Sequence, residues 1–221
     1  MNLFLLALCA HLTSDFLLQN DHLVAAKNAG RIWAHLKHGL LVTVLTLLAT
    51  HCYGLKAAFF YALLVGLAHL LLDSAKAFLE KGKSAGTKLL LFLLDQGLHL
   101  LVLFAFFPLF PTTTPDPKVI AFYQRLRPAT PVFALELPAS FTAYPLEKIL
   151  WIAVTYLATV FGGAVFTNRI LAWLTEDAQE EKTRRLSSAI GIMERLILIT
   201  LVAVDAVSAI GFVLAAKSLA R

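Results

Sequence analysis

His11 and Asp15, His69 and Asp73, and Asp95 and His99 form three histidine–carboxylate pairs with a spacing of four, and His35 and His38 stand three apart. On a helix these spacings put both members of a pair on one face. Imidazole nitrogen and carboxylate oxygen together suit Zn²⁺ first, and Fe or Mn²⁺ as well. Eight such groups exceed the four donors that one structural zinc needs. They fit either two ions, or one ion whose ligands are oriented by further His–Asp pairs. Asp15, Asp73 and Asp95 are then also the candidate catalytic groups, as ligands or bases. One His–Asp pair alone is usually a hydrogen bond on a helix surface. Four pairs in one chain point to a shared site. A metal-free network of hydrogen bonds or a proton relay is the alternative. A haem held by two histidines fits less well, because carboxylates are poor neighbours for its axial ligands.

The elements that carry these residues are apolar. Of the 221 residues, 59% are hydrophobic and 15% are charged, with a mean hydropathy of +0.76. A soluble domain is nearer a quarter charged. The composition predicts an all-α polytopic membrane protein. The net charge of +5 fits loop lysines and arginines and gives no reason to expect nucleic acid. Cys9 and Cys52 form no CxxC pair and suggest no disulfide. The N-terminus lacks a basic leader and reads as a retained helix.

Runs of roughly 20 apolar residues predict about six transmembrane helices, near 2–19, 33–53, 56–79, 88–110, 147–173 and 186–216. The last is long for one span, so tilt, a kink near Gly211 or an end in water is expected. Three regions follow. Residues 1–110 form a four-helix membrane core with a polar site inside the bundle. Residues 111–146 form a proline-rich extramembrane loop with a short helix from Lys118 to Leu126. Residues 147–221 form two further spans. These are joined by a charged cytoplasmic segment, "TEDAQEEKTRRLSS", with Thr175 as its N-cap.

Lys27 and Arg31, then Lys76, Lys81, Lys83 and Lys88, then Arg169, Lys182, Arg184 and Arg185 mark alternate short loops as cytoplasmic. This gives a multi-pass chain with its N-terminus outside. At about 1.5 Å of rise per residue, all four polar pairs fall in the cytoplasmic half. Charged groups at that depth cost on the order of 2–3 kcal/mol each. Four helices bearing that cost at one level implies that the groups face one another. Gln19, Lys27, Lys76 and Gln96 are candidate substrate contacts around them. His22 and His51 sit at helix ends and read as solvated interface residues. Ala10-His11-Leu12-x-x-Asp15 recurs as Ala68-His69-Leu70-x-x-Asp73, which suggests that the two helical hairpins are parallel repeats. Farther on, Gly162-Gly163 suggests close packing, and Glu194-Arg195 an ion pair.

The stretches "HLTSDFLLQ" with Lys27, "HLKH", "HLLLDSAK" and "LLDQGLHL" resemble a group of uncharacterised bacterial inner-membrane proteins, domain of unknown function 3307, over roughly residues 1–110. "GIMERLILI" and "AAKSLAR" are similar to the C-terminal signature of its longer members. "HLLLD" is also similar in style to the His-x-x-x-Asp elements of predicted membrane-bound metal-dependent hydrolases. The first resemblance implies the bacterial inner membrane, and the second a hydrolase.

Three functions fit these residues. The first is a metal-dependent hydrolase, acting from the cytoplasmic side on a lipid-like, phosphate-bearing substrate with one or two divalent ions, zinc favoured. The second is a transporter of divalent metal or protons. The third is a scaffold with a structural metal, and any of the three is compatible with an oligomer. Stretches such as "LLVTVLTLLAT" and "AAFFYALLVG" are almost wholly apolar in the outer halves of the helices. They favour a site open to one side over a path.

Overall fold

A computed structural model describes residues 2–110, 114–126, 145–175 and 181–219. Those residues are helical wherever they are regular, with no strand among them. The chain divides into two compact units, Met1–Val154 and Thr155–Arg221. Among the described residues, four helical stretches are long and apolar enough to cross a membrane: Ile32–Tyr53, Leu55–Leu79, Ala85–Leu109 and Leu146–Thr175. A fifth exists if Asn2–Leu17 and Asp21–Asn28, bent by 83° to each other, count as one span.

The first helical stretch ends at Leu17, two residues short of the expected 2–19, and the bend follows it. Helix α1 (Asn2–Leu12) loosens into a π-helical turn (Thr13–Leu17). Such turns are rare and often mark functional positions. Ser14 lies in it, buried, donating to the His11 carbonyl at 2.8 Å and to Asp15 Oδ1 at 3.0 Å. The chain then turns into α2 (Asp21–Asn28), whose first turn is capped by Asn20 accepting from the Leu23 amide at 2.9 Å.

Helix α3 (Ile32–Thr50) and helix α4 (Leu55–Leu79) are the most extensively packed pair among the described residues. Two glycines let them approach. A Cβ on Gly39 would stand 3.3 Å from Leu70 Cβ, and one on Gly66 would run into the Thr43 side chain and lie 3.2 Å from the Gly39 carbonyl oxygen. Without water to drive association, membrane helices rely on such close approach. Gly66→Ala is therefore expected to lower stability by about 1–3 kcal/mol. A thermal melt in detergent reads this. Adding Thr43→Ala should recover most of the loss, and an unchanged Gly66→Ala melt would contradict the packing argument.

Helix α5 (Ala85–Ala105) completes the bundle, and α6 (Pro117–Leu126) appears where a short helix was expected. It is tied to the end of α3 by a 2.7 Å bond between His51 Nε2 and the Tyr123 hydroxyl. His51 is thus held by a partner, where a solvated position was expected; His22 is exposed. One end of the bundle is apolar and packed. Leu3, Val42, Tyr61, Val65, Leu103 and Phe110 share a core there, with the Tyr61 hydroxyl donating to the Leu103 carbonyl at 2.9 Å. The outer surface carries exposed Leu40, Leu71, Phe78 and Phe104, while histidines, aspartates and a lysine are buried. That inversion suits a lipid solvent.

Helix α7 (Leu146–Tyr156) carries the chain from one unit into the other. A second π-helical turn (Leu157–Gly162), α8 (Gly163–Thr175), α9 (Glu181–Ala203) and α10 (Ala209–Leu219) follow. Arg195 lies against Gly163 and Gly191, and donates to the Val160 carbonyl at 3.3 Å and to Thr167 Oγ1 at 3.4 Å. The segment expected as one helix over 186–216 is broken at Val204–Ser208, not at Gly211. Asp205 takes a positive φ of 59° in the break, a conformation that aspartate tolerates better than most residues. Thr175 is the last residue of α8, bonded back to the Leu171 carbonyl at 2.8 Å, and so is not an N-cap. Most of the proline-rich loop, 111–113 and 127–144, and residues 176–180 of the charged segment lie outside the described residues.

Candidate metal centre

The polar groups converge at the end of the bundle away from the apolar core. Gly39 and Gly66 bring α3 and α4 together next to His38 and His69, whose Nε2 atoms stand 3.0 Å apart. The π-helical turn places Asp15 against the same pair. Its Oδ1 lies 3.4 Å from His38 Nε2, 3.5 Å from His69 Nε2 and 3.8 Å from His11 Nδ1. Asp73, one turn after His69, sets its Oδ2 at 3.8 Å from His38 Nε2 and 3.9 Å from His69 Nε2. His99 stacks on His69 with ring centres 4.0 Å apart, and its ring centre is 5.2 Å from that of His11. Imidazoles from α1, α3, α4 and α5 thus meet in one buried cluster.

Among the described residues, two sets of three ligand atoms lie within 4.8 Å of one another: His11, Asp15 and His69, and His38, His69 and Asp73. His69 belongs to both. Metal–nitrogen and metal–oxygen bonds of about 2.0–2.2 Å put tetrahedral ligand atoms about 3.4 Å apart. The separations of 3.4–3.9 Å around Asp15 and Asp73 are close to that, so the donor set fits an ion after small movements. Both nitrogens of His99 and Nδ1 of His38 are buried without a hydrogen-bond partner. Imidazole nitrogens rarely stay so in an apolar interior.

The other expected site residues fall around this cluster. Asp95 faces Lys76 Nζ at 2.8 Å, Gln96 Nε2 at 3.1 Å and His99 Nδ1 at 3.7 Å, and is in neither ligand set. His35 is buried with Nδ1 unpartnered, and it also stands outside both sets. Three residues along α3 displace it by about 4.5 Å from His38. Gln19 is half-buried just beyond the π-helical turn. Lys27 differs most from its expected place as a topology signal and substrate contact. It is 5% exposed, and its ammonium forms an ion pair with Asp73 Oδ2. Only the sharp bend before α2 carries it there. A lone lysine among alanines in "LVAAKN" gives no periodic signal of such burial.

With neutral histidines, Asp15, Asp73 and Lys27 leave the cluster one negative charge, while Lys76 and Asp95 cancel. That net negative charge suits a cation. Fold and site together define an all-helical membrane protein with a buried His/Asp cluster able to hold a metal ion. The chain belongs to the family described as "Protein of unknown function (DUF3307)", which matches residues 3–124, the stretch that contains the whole cluster. No curated protein and no solved structure matches it.

Proposed function

We propose that this protein is a membrane-embedded, metal-dependent hydrolase acting from the cytoplasmic side of a bacterial inner membrane on an amphiphilic, phosphate-bearing substrate. The observation that carries the reading is the pair of ligand sets sharing His69. His11, Asp15 and His69 would hold the ion, with His38 and Asp73 beside it. Zinc is favoured for mixed nitrogen and oxygen donors. When bound, the ion supplies an activated water and polarises a phosphoryl oxygen. Asp95 accepts from Lys76 and Gln96. Lys27 and Lys76 hold positive charge beside the cluster, which suits an anionic head group. A transporter would use the same groups, but the packed apolar end of the bundle interrupts a path through it.

Elemental analysis of the purified protein tests the metal. About one equivalent of a divalent ion is expected, retained in Asp95→Ala, which lies outside both sets. No stoichiometric metal in wild type sinks the proposal. Release of inorganic phosphate from a long-chain alkyl phosphate by the metal-loaded protein tests the hydrolase. Metal bound with no turnover across such phosphate esters reduces the protein to a binding protein.

A further inference from the structure

A second site lies on the outer side of α3. A groove of about 420 Å³ runs between the bend after α1 and the exposed face of α3. Its length is apolar, along Leu18, Leu40 and Val44, and its polar end carries His22, Trp33 and Lys37. From Trp33 to Val44 the α3 stripe extends about 16 Å. Trp33 is half-exposed, as are Leu18 and Val44, and Leu40 is more so. The α3 residues fall at spacings of four, three and four, so they form one continuous stripe. Lys37 is exposed and makes no ion pair among the described residues. Leu18 and Asn20 in the bend, with His22 and Leu23 at the start of α2, form the wall facing α3, so the groove depends on the sharp turn between Leu17 and α2.

We propose that this groove binds one anionic phospholipid, its acyl chain along Leu40 and Val44 and its phosphate at Lys37 and His22. The shape alone would accept any alkyl chain. The charge decides the occupant: Lys37, one turn beyond a tryptophan, and His22 stand in a channel whose lining is apolar apart from these two and Asn20. Trp favours the headgroup level, and a lysine one turn deeper reaches up to the same level along its methylene stem. The site is distinct from the metal cluster, because Lys37 points off the α3 face opposite to that of buried His38 and does not need an ion bound there.

Trp33 is a built-in reporter. The full chain carrying Trp151→Phe and Trp173→Phe, reconstituted in phosphatidylcholine vesicles, leaves Trp33 as the sole tryptophan. Brominated phosphatidylglycerol is expected to quench it at about one-fifth the mole fraction needed for brominated phosphatidylcholine, the worth of one lysine beside an anionic lipid. Lys37→Gln should abolish that preference, and Lys83→Gln, an exposed lysine elsewhere, should keep it. Equal quenching by the two lipids overturns the proposal. So does loss of the preference in Lys83→Gln, which reports bulk charge. Quenching that weakens only as the protein is concentrated indicates a second copy in the groove and overturns it as well. None of these readouts needs bound metal, so they stand or fall apart from the hydrolase.

Discussion

His69→Ala is expected to strip the metal from the protein while leaving the bundle assembled. His69 is the one ligand common to both sets. It contacts His38 and Asp15, faces Asp73 and stacks on His99. Losing a residue that merely orients a ligand typically weakens metal binding by 10–100-fold. Losing the shared ligand should exceed the upper end of that range. The measurement is metal content after dialysis against a weak chelator, with the melt recorded beside it. A metal-free reading of the cluster predicts something different. In that case the His38–His69 contact is one buried hydrogen bond, and its removal costs about 1–3 kcal/mol. The wild-type melt would then be indifferent to added Zn²⁺. A stabilisation of wild type by Zn²⁺ that vanishes in His69→Ala separates the two readings. Equal metal retention in wild type and variant would remove His69 from the ligand set.

Lys27→Met should have two opposite effects. Lys27 neutralises Asp73 inside the bundle. Removing one partner of a buried ion pair strands the other charge and typically costs 3–5 kcal/mol. The metal-free variant should therefore melt well below wild type. The same change takes the cluster from one net negative charge to two, and it removes a cation next to the second ligand set, His38, His69 and Asp73. Divalent metal should bind at least about tenfold tighter. Since a ligand that binds only the folded state stabilises it, saturating Zn²⁺ should recover most of the lost stability. Lys27→Met with Asp73→Asn should regain stability without metal and lose the gain in affinity. An unchanged apo melt, or unchanged Zn²⁺ affinity, would show that Lys27 is not the counter-ion of the cluster.

The helical class and the apolar lengths of α3, α4 and α5 could be read directly from composition and runs, because lipid exposure demands apolar side chains all round except at packed faces. The four-residue spacing of His11/Asp15, His69/Asp73 and Asp95/His99 also needed no coordinates, since helical geometry follows from local hydrogen bonding. Where the chain breaks was less legible. The turn after Leu17 falls within two residues of the expected end of the first helix, but the expected last helix is broken at Val204–Ser208, a stretch with neither proline nor glycine.

Tertiary packing alone decided how the polar residues sort. Gly39 and Gly66 are ordinary in an apolar sequence, yet they bring His38 within 3.0 Å of His69. His35, Asp95 and His99 match the ligand pattern in the sequence but fall outside both sets. Lys27 counts as a loop cation by position, and the bend into α2 buries it on Asp73. Sequence by itself determined which side chains must leave the lipid, because local periodicity and desolvation cost are properties of single helices. Which of them share an ion, and which are neutralised by a lysine, depends on distances between helices, and these exist only once the bundle has packed.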